Sequence, residues 1–440
     1  MDATARLNAA VAEIGPARIP LSAWYMLFVL ALVNMFNALD KMILSMLVEP
    51  IKHEFQLSDG QMGLIAGLSL AIFNAAAMVP MGMLADRVNR RNLIGLCLCI
   101  WSGATALGGI ATNWVQLLIS RIVVGAGEAG GGPPSLSMIA DRFPPERRTT
   151  AVSLFYVTAS IGSMLAVGVG GWIATHYGWR VTLLAAGAPG ILLAAVLLLT
   201  VREPQRGQLD RQSAGAAAPR SSFGEVLRYM WRRRSLFHLA ISICLVSFVI
   251  SALAAWTPAF LVRSHGLKLD QIGLFLSLLH VGGLIGSVGG GMLADRLALR
   301  DKRWWCWLVA IGLGCTALSL VAFTTASSTN GTLVAFGLYT LAISFWYGPS
   351  YGTVQSLVRP HMRSTATAML YMGGNIIGYG LGTQSVGLLS DAFRHTAGAD
   401  ALRYALMPLI GVALWAMVHF LFAARSLRDD FAAAQQGETA

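Results

Sequence analysis

Twelve apolar runs of about 20 residues or more follow one another along this chain of 440 residues, and that pattern leaves few folds open. A helix of that length crosses a bilayer core of about 30 Å. The runs lie near residues 22–47, 60–85, 91–112, 114–141, 147–175, 179–201, 236–263, 270–294, 303–324, 331–358, 363–391 and 402–424. They predict an all-α membrane protein. The balance of residues agrees: 55% are hydrophobic and only 12% charged, against about 25% charged in soluble domains.

Superposed on the runs is a repeat. The hexapeptide Gly-Met-Leu-Ala-Asp-Arg occurs at Gly82 to Arg87 and again at Gly291 to Arg296, 209 residues later. Its surroundings repeat as well. Gln61-Met-Gly-Leu64 is echoed by Gln271-Ile-Gly-Leu274, and Pro134-Ser135 and Arg148-Thr149 by Pro349-Ser350 and Arg363-Ser364. Two copies of one unit follow, so the twelve transmembrane helices divide into two six-helix halves with pseudo-two-fold symmetry. The expected divisions are an N-terminal segment 1–20, a bundle 21–201, a linker 202–235, a second bundle 236–424 and a tail 425–440.

Forty-seven glycines suit such bundles, because small residues let membrane helices approach closely. Gly162, Gly168, Gly170 and Gly171, with Gly378, Gly380, Gly382 and Gly387, read as packing positions. The five cysteines fall inside spans without metal-type or disulfide spacing, so neither a metal nor a cofactor is expected.

A net charge of +11 raises the question of nucleic acid, but the distribution answers it. With the N-terminus inside, 24 of the 32 Lys and Arg fall on the cytoplasmic side and six outside; Lys41 and Arg121 lie within spans. The positive charge is a topology signal that places both termini in the cytoplasm, and no nucleic-acid partner is expected. No cleavable signal peptide is expected before the first span, since residues 1–20 are mixed polar and contain Pro16 and Pro20. Arginine outnumbers lysine 28 to 4, which fits a bacterial inner (cytoplasmic) membrane. In the linker, residues 213–219 read as flexible. Ser222 to Glu225 resembles a capping box opening a short interfacial helix, with Trp231 at headgroup level and arginines facing anionic lipid. A plain arginine-rich loop fits the same residues, and the tail from Arg425 reads as disordered.

Gly82-Met-Leu-Ala-Asp86-Arg87-Val-Asn-Arg90-Arg91 resembles the loop motif of the major facilitator superfamily, and the resemblance covers essentially the whole chain. It implies a cytoplasmic latch: Gly82 allows close helix contact, and Asp86 meets the positive N-terminus of the span beginning near Arg363. Arg87 and Arg91 complete the first copy; Gly291, Asp295 and Arg296 form the second, with Asp295 facing the span that begins near Arg147. The second copy keeps only one trailing basic residue, Arg300, so its latch is expected to be weaker. Asn37-Ala-Leu-Asp40-Lys41, Trp101-Ser102, Arg121-Ile-Val-Val-Gly-Ala-Gly-Glu128 and Tyr177-Gly-Trp-Arg180 are similar to the spinster-like branch of that family. Lys41 stands where that branch usually has arginine; the charge is kept and the planar fork is lost.

Ionisable groups in mid-bilayer cost about 2.5–3.5 kcal/mol each on insertion scales and mark function by default. The candidates are Asp40, Lys41, Arg121, Glu128 and His280. The repeat serves as a control: Asp40, Arg121 and Glu128 align with Ile250, Phe336 and Ile343, so the fold is built in the second half without these charges. Glu128, in a glycine-rich stretch beside a cavity, and Asp40 are the expected proton-exchanging carboxylates. Arg121 leans toward its helix N-terminus and away from Glu128, so another helix or an anionic substrate is its expected partner. Asp40 and Lys41 lie about 100° apart around their helix and cannot face one cavity equally. His280 reads as a packed histidine.

Two motifs are decoys. Gly125 to Gly130 matches the dinucleotide fingerprint with no preceding strand. Gly348 to Gly352 matches the nucleophile elbow of hydrolases, yet its repeat partner, Pro134-Ser135, lacks the glycines, so Pro349-Ser350 reads as a helix kink and no enzyme is expected.

The expected function is proton-coupled secondary transport by alternating access around a site between the halves. Asn37, Trp101, Trp256, Tyr347, Tyr351 and Asn375 are the expected lining residues beside Lys41 and Arg121. The family's eukaryotic members move sphingosine-1-phosphate and lysophospholipids, so the resemblance implies an amphipathic anion. A proton-coupled importer of small organic acids is the alternative, and a passive channel or membrane sensor the reading from another class. The expected partners are the substrate, protons and membrane lipids, with the chain acting as a monomer.

Overall fold

A backbone in lipid has to satisfy its own hydrogen bonds, and a computed structural model of the chain, describing residues 19–206, 222–359 and 362–435, is helical from end to end. The expected segment before residue 19, residues 213–219 of the linker and the last residues of the tail lie outside the described residues. Before the linker come α1 (Leu21–Phe55), α2 (Asp59–Arg87), α3 (Arg90–Gly108), α4 (Trp114–Glu128), α5 (Gly132–Arg142) and α6 (Pro145–Thr200). After it come α7 (Phe223–Arg232), α8 (Arg234–His265), α9 (Leu269–Ala298), α10 (Trp304–Thr325), α11 (Thr329–Ile343), α12 (Tyr347–Leu357), α13 (Arg363–Gly373), α14 (Thr383–Ala397), α15 (Ala401–Leu406) and α16 (Pro408–Gln435). A π-helical turn, Leu64–Leu68, interrupts α2, and a longer π-helical segment, Gly374–Gly382, joins α13 to α14.

Eight helical stretches among the described residues are long and apolar enough to cross a membrane. Two of these fold back. α6 reverses at Gly178, whose φ of +82° is open to glycine; hence Arg180 pairs with Glu54 at one end of α1 while Thr200 bonds Tyr25 at the other. The stretch from Thr365 to Ala433 turns at Gly398. The repeated Gln61 and Gln271 do one job: each side-chain oxygen accepts the amide of the residue opening its helix, Ser58 at 2.9 Å and Lys268 at 3.1 Å. Gly162, Gly171, Gly378 and Gly387 lie where a Cβ would collide with a neighbouring helix, as packing positions should.

The expected short helix after the linker is present as α7. Ser222 Oγ accepts the Glu225 amide at 3.2 Å, Val226 and Met230 are buried, and Tyr229 donates to the Leu357 carbonyl at 3.1 Å. Phe223, Leu227 and Trp231, four residues apart, form an exposed stripe.

Helices before and after the linker are joined on the face distal to the chain's ends. Arg263 of α8 donates to both oxygens of Asp59 at 2.7 Å and to Glu49 of α1 at 2.8 Å. Lys52 and Ser390 also bond the Asp59 carboxylate. Asp391 of α14 accepts the Asp59 and Gly60 amides at 2.9 and 2.7 Å, so a carboxylate sits on the positive N-terminus of α2. The repeat has a neutral counterpart: Thr175 of α6 accepts the Asp270 amide at the start of α9, at 3.1 Å.

On the terminal face no contact of the kind implied by the hexapeptides is present among the described residues. Asp86 and Asp295 are exposed, and among the described residues neither bonds to the opposite half. Arg206 instead donates to the carbonyls of Ala85, Asp86 and Val88, and Trp305 donates to Asp295 at 3.3 Å. Arg91 bonds Val201, and a Cβ on Gly82 or Gly291 would meet nothing within 4 Å. Arg87 and Arg296 are exposed. The reason is geometric: these residues lie on the face opposite the one where the halves are joined. Asp301, in the loop after the second hexapeptide, is held down to about 2 by Arg303, with Arg428 of α16 also bonded to it.

Breaking a largely buried ion pair costs about 3 kcal/mol, close to a hundredfold in a two-state ratio. Arg263→Ala is expected to open the distal face by that order, read as a longer spin-label distance between Gln56 and His395 than in the unsubstituted chain.

Candidate functional site

The charged residues that the repeat singles out come together in the first half. Arg121 of α4 and Asp40 of α1 are each 1% exposed, and Glu128 is 4% exposed. Arg121 reaches another helix, as expected, donating through Nη2 to Thr105 Oγ1 of α3 at 3.1 Å; its Nε and Nη1 have no hydrogen-bond partner. Neither Asp40 oxygen makes a well-formed hydrogen bond, and the Thr105 hydroxyl lies beside its carboxylate. Asp40 lies within electrostatic reach of both Arg121 and Glu128. Glu128 forms an ion pair with Lys41 at 3.4 Å, longer than a charge-assisted hydrogen bond, and Asn37 lies beside it. The 100° between Asp40 and Lys41 therefore separates their roles: the aspartate turns into the protein toward Arg121, and the lysine, its side chain 34% exposed, reaches Glu128 from the edge.

Two buried carboxylates, one of them ion-paired to Lys41, thus share the interior with a partly bonded guanidinium. Burial and the neighbouring cations act on each carboxylate in opposite senses. Among the described residues no three His, Cys, Asp or Glu side chains converge as metal ligands would.

A cavity of about 330 Å³ lies mainly in the second half, walled by α8, α9, α11 and α12 and touched by Met42 of α1 and Ser160 of α6. Thr257, His280, Phe336, Tyr339, Ser344 and Tyr347 give it a mixed aromatic and hydroxyl lining. Met42, which follows Lys41 in sequence, is the α1 residue of this wall. His280 Nδ1 donates to the Leu276 carbonyl at 2.8 Å, so this histidine faces a cavity and not only packed neighbours.

The expected lining residues divide. Tyr347 is in the wall. Tyr351 is buried against it, 4.8 Å from the Tyr347 ring and stacked at 5.2 Å on Tyr371, whose hydroxyl bonds Tyr347. Trp101 and Trp256 are both buried, and neither is among the walls of this cavity. Trp101 fills the space that Gly127 and Gly131 leave on α4 and beyond it, and Trp256 donates to the Thr383 carbonyl at 2.8 Å. In both cases a large ring closes a gap beside glycine or backbone, which a sequence cannot distinguish from a lining role. Asn375 bonds Asn74 of α2 at 3.0 Å, across the two halves.

Sequence reasoning passed over Asn74, Thr105 and Tyr379. Asn74 donates to the Gly125 carbonyl at 3.1 Å, and Tyr379 to the Lys41 carbonyl at 2.7 Å. The available signal was polarity inside a span, which Asn74 carries plainly.

Comparison with known proteins gives a consistent result. Residues 30–383 match the model of the Major Facilitator Superfamily. An MFS-type efflux pump of Mycolicibacterium smegmatis is 32% identical over 417 residues, covering 93% of this chain and 95% of that protein. The sphingosine-1-phosphate transporter SPNS2 of Danio rerio is 26% identical, covering 91% and 84%. A crystal structure of a bacterial homologue of the human lysosomal transporter Spinster, inward-facing and unoccupied, superposes with a TM-score of 0.84 at 26% identity, covering 94% of this chain and 99% of that one.

At Gly125 a Cβ would stand 2.5 Å from the Leu70 carbonyl oxygen, which is backbone and cannot swing aside. Gly125→Ala is expected to destabilise the protein by about 1–3 kcal/mol through overpacking, read as a lower melting temperature in detergent.

Proposed function

The chain belongs to the Major Facilitator Superfamily and is a spinster-like secondary transporter; from that premise we propose that it is a proton-coupled carrier of an amphipathic anion, such as a lysolipid, working by alternating access. In this reading twelve helices cross a bacterial inner membrane, both termini are cytoplasmic, and the terminal face is the open one. The likeness to an inward-facing Spinster homologue supports that state.

The observation that supports proton coupling is the pair of buried carboxylates, Asp40 and Glu128, gathered with Arg121 and Lys41 inside the first half. With Asp40, Lys41, Arg121 and Glu128 all ionised the cluster is neutral. Protonating one carboxylate leaves a cation in excess, and an anionic headgroup entering from the cavity offsets it. Proton and anion then favour each other's binding by the same factor, since linkage is reciprocal. The aromatic and hydroxyl cavity of the second half supports an apolar portion on the same substrate. A small organic acid would leave that lining unused, and counterflow separates a carrier from a channel.

Glu128→Gln and Asp40→Asn are expected to abolish accumulation driven by a pH gradient in proteoliposomes, tested with an anionic lysolipid and with small organic acids, while leaving substrate exchange measurable. Undiminished driven transport in both variants contradicts proton coupling through these residues.

A further inference from the structure

Two hydrogen bonds from one helical segment of the second half end beside the carboxylates of the first. Tyr379 and Asn375 stand four residues apart in the π-helical segment Gly374–Gly382. Tyr379 donates to the carbonyl of Lys41, the residue that follows Asp40, at 2.7 Å. Asn375 donates to Asn74 Oδ1 at 3.0 Å, and Asn74 donates in turn to the carbonyl of Gly125, one helical turn before Glu128, at 3.1 Å. Each chain of bonds leads from the second half to the backbone that carries a carboxylate. The packing there has no slack: a Cβ on Gly67 of the α2 π turn would stand 2.8 Å from the Tyr379 carbonyl oxygen. π-helical turns recur at functional sites because the extra residue lets a helix shift register at modest cost.

The geometry points to Tyr379 and Asn375 as positioning residues that transmit the charge state of Asp40 and Glu128 to the second half, an inference that rests on the proton coupling proposed above. If protonation moves α1 or α4 locally, these are the bonds through which the second half follows. The charged and titratable groups facing Glu128 and Asp40 are Lys41 on α1, Arg121 on α4 and Tyr379 itself. α3 adds the Thr105 hydroxyl, and α2 adds the Asn74 amide at the neighbouring backbone. Tyr379 and Asn375 touch neither carboxylate in the hydrogen-bonded arrangement seen here, so their role is mechanical coupling and not proton exchange.

The test requires no substrate. Spin labels at exposed Val88 and Leu299 report the opening of the terminal face in full-length protein reconstituted in nanodiscs, titrated from pH 5 to pH 8. The unsubstituted protein is expected to shift its distance distribution with pH, and Glu128→Gln to hold one distribution throughout. Tyr379→Phe, which keeps the ring and removes only the hydroxyl, is expected to reduce the pH-dependent population change at least threefold with an unchanged melting temperature; Asn375→Ala is expected to do the same. A Tyr379→Phe titration that overlays the unsubstituted one overturns the inference while leaving proton coupling intact, and it decides the matter if Asn375→Ala does not fold. An unsubstituted protein with no pH response overturns both. An equal loss of pH response and thermal stability in Tyr379→Phe marks a structural role and also overturns it.

Discussion

Arg121 is the group around which the rest of the first half is arranged. A guanidinium keeps its proton under all ordinary conditions, and this one is buried in apolar surroundings with two of its three nitrogens unbonded. Such a charge demands negative partners nearby, and α1 and α4 supply Asp40 and Glu128. In the proposed coupling the charge of these two carboxylates changes while that of Arg121 does not. A fixed cation with exchangeable counter-charges is a physical basis for coupling a proton to an anion.

The two halves repeat one fold with different chemistry. Where the first half places Arg121 and Glu128, the second places Phe336 and Ile343, and both of these line the cavity. One half thus offers charge and the other offers surface, a division suited to an amphipathic molecule lying across the interface. The distal closure repeats the theme: Asp391 caps the start of α2 with a carboxylate, and Thr175 caps the start of α9 with a hydroxyl. The charged version stands next to Arg263, so the ion pairs of that closure lie where α8 meets α1 and α2.

The helices and their duplication were legible in the sequence because both rest on long patterns: apolar runs matched to a bilayer, and a hexapeptide with its flanks. Asp40, Arg121 and Glu128 were legible as a set because charge inside a span is costly and their repeat partners are apolar. Trp101 and Trp256 were not, since an indole serves equally to fill a gap beside glycine and to line a cavity, and only the neighbour decides. Tyr379 and Asn74 were missed because their partners are backbone carbonyls, which every residue has and no sequence marks. The exposure of Asp86 and Asp295 was equally invisible, because a short motif does not specify the state in which its contacts are made.

Infrared difference spectroscopy of the purified protein across a pH change tests most directly whether these buried carboxylates exchange protons. A protonated carboxyl in an apolar site absorbs apart from carboxylate and amide bands and shifts on exchange into D₂O. Such a band is expected to grow on acidification in the unsubstituted protein, to weaken in Glu128→Gln or Asp40→Asn, and to disappear in the double variant. A spectrum with no titrating carboxyl band, or one unchanged in the double variant, contradicts proton exchange at Asp40 and Glu128.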